Sequence, residues 1–362
     1  MTIKFSLENK GLIDNIKTKD NLHIKRNGKS MRISSVEIQT RTIVDYKDVE
    51  FDAEDDFSFV IPQKSLIKTL NDYQCQDEKT INMQILESGK LSTYNESKKF
   101  KYKIPIEVGE IAERQDAKEC KTITIKIKDL ISKMPMVKIS TAVDDSRSVM
   151  TGIYFDFKKD KKILMVGTDG RRLSIAPIGY ESTDKDLESV SMPLAFLDTL
   201  ISFTSLIPQE DVDIEIFNNL VVAHIGNVMV ESQLFEGKFP DYQTILDNNN
   251  HSKTFQIKNK DFKNIVRSAN VTYAMNMNVF VVEGNCMILN AIEDIREASC
   301  EVPIIKTDEK VKFAFNSYLF MEYLKANPDQ DIITCSFDTS RKPFMFKNDE
   351  CVYIAMPMKI EE

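Results

Sequence analysis

A four-point apolar signature recurs six times along the chain: Phe5, Leu7, Leu12, Ile16; Phe59, Ile61, Leu66, Leu70; Ile123, Ile125, Leu130, Met134; Val190, Met192, Leu197, Ile201; Phe255, Ile257, Phe262, Val266; and Phe313, Phe315, Phe320, Leu324. Two apolar residues at spacing two share one face of a strand, and two at spacing four share one face of a helix. Each copy therefore reads as a short strand running into a helix with one buried side. A repeat this regular points to an array or a ring.

The copies start roughly 55 to 67 residues apart, too long for an ordinary solenoid unit and about half of a small domain. Two copies per domain give three domains, at residues 1–118, 119–248 and 249–362. Between the helices the chain alternates apolar and polar residues as strands do, at 24–33, 81–91, 153–157, 221–230, 279–289 and 332–337. The expected fold class is α+β, with three tandem domains, each built of two strand-helix-strands repeats.

With 362 residues, 42% apolar and 29% charged, there is material for three modest cores. No apolar run approaches the roughly 18 residues of a membrane span. The opening MTIKFSLENK has no signal-peptide core, and six dispersed cysteines without a C-x-x-C pair fit a reducing, cytoplasmic setting. Catalytic chemistry is poorly represented. His23, His224 and His251 are scattered, and no P-loop, dinucleotide-binding glycine run or nucleophile elbow occurs. Acidic pairs such as Asp55-Asp56 and Asp144-Asp145 read as solvated turns on a chain of net charge -8. The expectation is a protein that holds something without transforming it, with no cofactor and no metal.

Charge is unevenly spread. Several repeated helices carry cations on their polar side: Lys64 and Lys68; Lys126, Lys128, Lys133 and Lys138; Lys258, Lys260, Lys263 and Arg267. The fourth helix, 194–203, has no Lys or Arg, and the sixth has only Lys325. A basic face on an acidic protein suits loose contact with a phosphate backbone, although lysines on exposed helices also serve solubility.

Three segments are more specific. Residues 166–174, VGTDGRRLS, resemble the strand-turn-strand signature in the middle domain of the bacterial DNA polymerase III beta subunits, the beta sliding clamp family. Residues 235–242, FEGKFPDY, resemble the segment that ends that domain, and residues 353–360, YIAMPMKI, resemble the family's C-terminus. The match is good from about residue 120 onward and is mainly one of pattern before it. Residues 17–21 leave little room for the family's long first helix.

What the resemblance implies is a head-to-tail homodimeric ring, with helices lining a central hole and antiparallel sheets outside. Twelve helices spaced about 8 to 10 Å apart give a circumference on the order of 100 to 120 Å, wide enough for duplex DNA after subtracting the helix radii. Retention on DNA would then be topological and independent of sequence, with Lys68, Lys133, Lys138, Lys260, Lys263 and Arg267 facing the phosphates. The three motifs converge in the family on a pocket for short peptides of partners, among them a replicative polymerase subunit and the clamp loader. By motif or position, that pocket takes Met150, Thr168, Gly170, Arg172, Leu173, Pro240, Ile245, Ile354, Met356, Pro357 and Met358. A sulfur-rich lining suits a site that accepts many partners. Thr244 stands where the family often has a basic residue, and Glu361-Glu362 extend the tail. For the dimer interface, pattern places Phe100 and Tyr102 on an edge strand of the first domain and Val271 and Tyr273 near an edge of the third, although ordinary half-buried strand residues would look the same. A divergent scaffold that keeps the ring or the pocket without encircling DNA is the alternative.

Overall fold

The apolar signature becomes structure at every copy in the computed structural model. This describes residues 2–16, 21–35, 39–47, 49–109, 119–143, 149–158, 160–184, 186–247, 251–269, 277–293, 296–307, 309–327, 331–347 and 351–360. Among these, the helices are α1 (Lys10–Asp14), α2 (Gln63–Gln74), α3 (Ile127–Lys138), α4 (Leu194–Thr204), α5 (Tyr242–Asp247), α6 (Asn259–Ala269) and α7 (Ser317–Ala326). All but α5 follow a signature strand. Every signature residue is buried except Val190 and Ile201, which are half-buried. Both belong to the fourth copy, where α4 is apolar on most sides and buries Phe196, Leu200 and Phe203 besides Leu197. The first copy is the most abbreviated. Its strand ends at Ser6, Leu7 opens a single 3-10 turn, and α1 is only 5 residues long. The Gln63 amide ties the chain after α1 by donating to the carbonyl of Ile16 at 2.7 Å.

The described chain divides into two compact units. The first comprises Met1–Ile127, Glu181–Leu187 and Pro193–Leu234. It holds a five-stranded sheet, ordered Val49–Phe51, Thr2–Ser6, Thr80–Leu86, Lys90–Tyr94, Lys101–Pro105. It also holds a nine-stranded sheet in which Thr40–Tyr46 pairs with Val228–Gln233 in antiparallel register, Arg41 opposite Glu231. That pair is buried and ionic, with 3.7 Å between Arg41 Nη1 and Glu231 Oε1.

The second unit comprises Lys128–Tyr180, Glu188–Met192 and Phe235–Glu362. Its nine-stranded sheet runs through Gly152–Lys158, Lys162–Thr168 and Arg172–Gly179 to the C-terminal strand Val352–Ala355, then on to Phe344–Lys347 and Ile332–Phe337. Its four-stranded sheet is ordered Arg296–Pro303, Cys286–Glu293, Met277–Glu283, Val311–Asn316. The core here is aromatic: Phe313 lies within 4.9 to 6.2 Å, ring to ring, of Phe255, Phe280, Phe315 and Phe344. The described strand pairings are antiparallel, so the α+β class expected from the repeat holds. No described helix is long and apolar enough to cross a membrane.

Strand Lys101–Pro105 ends its sheet, with Lys101 and Lys103 exposed. Phe100 is 41% exposed just ahead of it, and Tyr102 is half-buried with its ring edge-on to Tyr73 at 5.2 Å. Val271 and Tyr273 lie outside the described residues.

Candidate functional site

The segment TDGRR is a tight hairpin whose polar residues each have a task in the turn. Gly170 adopts φ +85°, a region that side chains resist, and its amide donates to Thr168 Oγ1 at 3.1 Å. The Thr168 hydroxyl donates to the carbonyl of Arg172 at 2.7 Å. Asp169 Oδ1 accepts from the amides of Arg171 and Arg172 at 2.8 and 3.0 Å. The same carboxylate accepts from Arg172 Nε at 3.0 Å through Oδ2, and Arg172 Nη1 reaches Glu322 Oε2 of α7 at 2.6 Å. Burial works against the charge on Arg172, yet Glu322, the Tyr353 hydroxyl and Asp169 hold it firmly protonated. Arg172 is thus a strut between hairpin and helix, its side chain only 8% exposed.

The hairpin is seated by close approach. Strand Lys162–Thr168 passes α3 so tightly at Gly167 that an added Cβ would lie 2.5 Å from the carbonyl of Val137 and 3.2 Å from the Thr141 methyl. On its other side the hairpin pairs with the C-terminal strand, Leu173 opposite Ile354 and Arg172 opposite Ala355. The tail then leaves the sheet. The amide of Met356 donates to the carbonyl of Arg171 at 2.9 Å, and that of Met358 to the carbonyl of Ala314 at 2.7 Å.

The FPDY segment supplies the third wall. Phe239 stacks on Tyr154 with ring centroids 4.5 Å apart, and Tyr242 packs with Val166, Leu173, Ile175 and Ile354 in one cluster. Asp241 caps α5, accepting from the Thr244 amide at 3.2 Å and its hydroxyl at 2.7 Å. Below, Asp156 anchors the helix: it accepts from the Tyr242 hydroxyl, from Lys158 Nζ at 2.6 Å and from Ser189 Oγ at 3.0 Å. Burial alone would raise the Asp156 carboxyl, but these donors hold it below the usual carboxylate range; burial and Asp156 push the Tyr242 hydroxyl above the tyrosine range. A carboxylate with a depressed pKa stabilises the fold above the unfolded value, about 3.9, and ceases to as pH falls through its folded value. Tyr242→Phe should therefore cost about 1 kcal/mol at pH 7, after solvent screening, and progressively less below about pH 4. Urea unfolding of both proteins across that range checks it; a gap that does not shrink with acid rules the anchor out.

Around these walls lies a cavity of about 310 Å³, lined by Thr168, Gly170, Arg171, Arg172, Leu173, Thr244, Ile245, Pro343, Ile354 and Met356. A second, of about 360 Å³, lies along the tail and is lined by Arg171, Phe315, Asn316, Leu319, Phe320, Tyr353, Ala355, Met356, Pro357 and Met358. Of the pocket set expected from sequence, seven residues meet in the first cavity; Pro357 and Met358 join Met356 in the second. Met150 and Pro240 line neither. Met150 is buried with its carbonyl tied to the Ala142 amide at 2.8 Å, and Pro240 is an exposed residue leading into α5. Outside the expected set, Arg171, Thr244 and Pro343 line the first cavity, and Arg171, Phe315, Asn316, Leu319, Phe320, Tyr353 and Ala355 the second. Pro343 and Phe315 are brought in by sheet pairing across the chain, which no local motif announces. Thr244, by contrast, sits beside the expected Ile245.

The cations expected to face DNA are dispersed. Lys68 on α2, Lys138 at the end of α3, and Lys260 and Arg267 on α6 are exposed, and Lys263 is half-buried. Lys133 differs: its ammonium donates to the carbonyl of Pro177 at 2.9 Å and is drawn into the protein body. Glu361 and Glu362 lie outside the described residues.

Comparison with known proteins agrees with the motifs. Residues 124–241 match the family model of the DNA polymerase III beta subunit, central domain. The first motif falls inside that segment and the second reaches its end. The beta sliding clamp of Staphylococcus aureus is 26% identical over 253 residues, 66% of this chain and 64% of that protein; the alignment thus spans less than two thirds of that relative's length. The fold is shared over 99% of the chain. The crystal structure of the Caulobacter crescentus DNA polymerase sliding clamp superposes with a TM-score of 0.87 at 15% identity, covering 99% of this chain and 100% of that one. The Thermotoga maritima DNA polymerase III beta subunit does so with a TM-score of 0.85 at 17% identity, covering the same shares.

Proposed function

Because residues 124–241 match the central domain of the DNA polymerase III beta subunit and the whole chain has the sliding-clamp fold, we propose that this protein is a DNA sliding clamp. It is a processivity factor without catalytic activity, cytoplasmic, built of three tandem domains (1–118, 119–248 and 249–362). Two copies join head to tail around duplex DNA. The apolar cavities beside the hairpin take short peptides of the replicative polymerase, the clamp loader and other partners. The observation that carries this reading is the convergence of three distant segments, 168–173, 244–245 and 354–358, on adjoining cavities beside the Thr168–Arg172 turn. Extended peptides with large apolar side chains fit such a groove, and methionines at its rim can repack around different ones.

DNA contact in this reading is diffuse. Lys68, Lys138, Lys260, Lys263 and Arg267 screen phosphate repulsion, while Lys133 contributes less because its ammonium is engaged by Pro177. The dimer forms through sheet edges: Phe100 precedes, and Tyr102 lies within, an edge strand that carries Lys101 and Lys103, and Val271 and Tyr273 are the proposed counterpart. A scaffold that does not encircle DNA is favoured by one specific observation. The only lysine of α1, Lys10, is buried and paired with Asp14, and α4 has no basic residue.

The test separates the two. Loaded on nicked circular duplex, a clamp co-elutes with the DNA through gel filtration and is lost once a single cut linearises it. Any one of Lys68, Lys138, Lys260, Lys263 and Arg267 changed to Ala should barely alter this. Equal loss from circle and line rules out encirclement.

A further inference from the structure

We infer that the groove does not end at its apolar cavities but continues into a basic one, so that the partner segment it takes is apolar at one end and acidic at the other. The inference rests on the peptide-groove reading above and names the chemistry of the peptide. Three cavities share walls in sequence. The first and second share Arg171 and Met356. The second shares Pro357 and Met358 with a third, of about 400 Å³. The tail between them is pinned at both ends, at Arg171 and at Ala314, so the cavities form a row along it.

Chemistry changes along that row. The first cavity is walled mainly by Leu173, Ile245, Ile354, Pro343 and Met356; of its two arginines, Arg172 is neutralised by Asp169 and Glu322, and Arg171 stands on the wall shared with the second cavity. The third is lined by Lys312, Arg341 and Lys359, all exposed, with Ser340 between the strands and, among the described residues, no acidic side chain. The acid of the same loop, Asp338, is bound by Lys342 at 2.6 Å, which holds its carboxyl below the usual range. On a chain of net charge -8, three cations around one cavity run against the prevailing field. An extended peptide seated in the first two cavities has its next residues over these cations, where Asp or Glu side chains are attracted and Lys or Arg repelled. The charges are at the rim and partly screened, so they discriminate among peptides while the apolar side chains supply most of the affinity.

The experiment uses three labelled peptides read by fluorescence anisotropy: a neutral one with Leu and Phe anchors, the same with two aspartates at its N-terminus, and the same with two at its C-terminus. Because the basic cavity lies at one end of the groove, one acidic peptide should bind about 5- to 10-fold tighter than the neutral one at about 0.1 M salt. That advantage should shrink towards unity at about 1 M, where the Debye length falls from about 10 to about 3 Å. On the Lys312→Ala, Lys359→Ala double variant, which leaves Arg341 of the three cations, the acidic-to-neutral ratio should fall most of the way to one at low salt. No advantage for either acidic peptide, or an advantage that the double variant keeps, overturns the basic extension while leaving the groove. If none of the three peptides binds, the groove reading itself fails and the extension with it.

Discussion

A fluorescent peptide with Leu and Phe anchors should lose about 30-fold in affinity for an Ile245→Ala, Met356→Ala double variant, with little change in the melting temperature. Ile245 and Met356 are 37% and 47% exposed in the free protein, so truncating them removes surface that only a bound peptide would bury. Fully burying an Ile or Met side chain is worth about 1.5–3 kcal/mol, and these two are about half buried already. Each therefore forfeits about 1 kcal/mol, and about 2 kcal/mol together is about 30-fold. Leu173→Ala with Met358→Ala would strip lining from both cavities. However, Leu173 is 2% exposed and packs with Phe239, Tyr242 and Ile354, and losing it costs about 2–5 kcal/mol of folding stability. That variant mixes a damaged site with a damaged fold; the exposed pair does not. Anisotropy titration together with a circular-dichroism melt reads both quantities, and unchanged affinity would remove these cavities from the proposed function.

Gly167→Ala should destabilise the second unit by about 1–3 kcal/mol, whereas Gly179→Ala at the end of the same hairpin is nearly silent. The added methyl would sit 2.5 Å from the carbonyl of Val137 and 3.1 Å from its side chain. A backbone oxygen cannot swing away as a side-chain tip can, so α3 or the strand must shift. The strand ends in Thr168, whose hydroxyl closes the turn, so peptide affinity should fall along with stability. Gly179→Ala is the control, since an added Cβ there meets nothing within 4 Å and a strand prefers Ala to Gly. Thermal melts of the two variants should separate by several degrees, and coincident melts would mean that the approach at Gly167 relaxes freely.

The fold was legible because its information is periodic. Two apolar residues at spacing two and two at spacing four are fixed by strand and helix geometry wherever they occur, and Phe255, Ile257, Phe262 and Val266 are buried as that geometry requires. The pattern blurred where burial is not one-sided. α4 is enclosed on most faces, so the stripe no longer marks its inward side, and Ile201 is only half-buried. The site was legible through motifs that build turns and caps. TDGRR writes its hydrogen bonds into consecutive residues, and so does Asp241 with Thr244. Asp156 was not legible: the hydroxyl it anchors belongs to Tyr242, 86 residues away, and nothing near Asp156 in the chain marks it. Lys133 shows the same limit for charge. A lysine at a helical position predicts an exposed ammonium, but a carbonyl 44 residues distant, that of Pro177, claims it.

The sheet pairings bear on how this chain could be taken apart. In the middle third, strand Val228–Gln233 lies against Thr40–Tyr46, and strand Arg172–Gly179 lies against Val352–Ala355. A protein cut down to residues 119–248 would keep the hairpin, α5 and most of the matched family segment, yet it would carry two long, freshly bared strand edges lined with Val228, Val230, Leu173 and Ile175. Such edges template pairing with further copies. The excised piece would accordingly self-associate unless a substitute strand were supplied to each edge, so dissecting this molecule by truncation would report on stickiness before it reported on function.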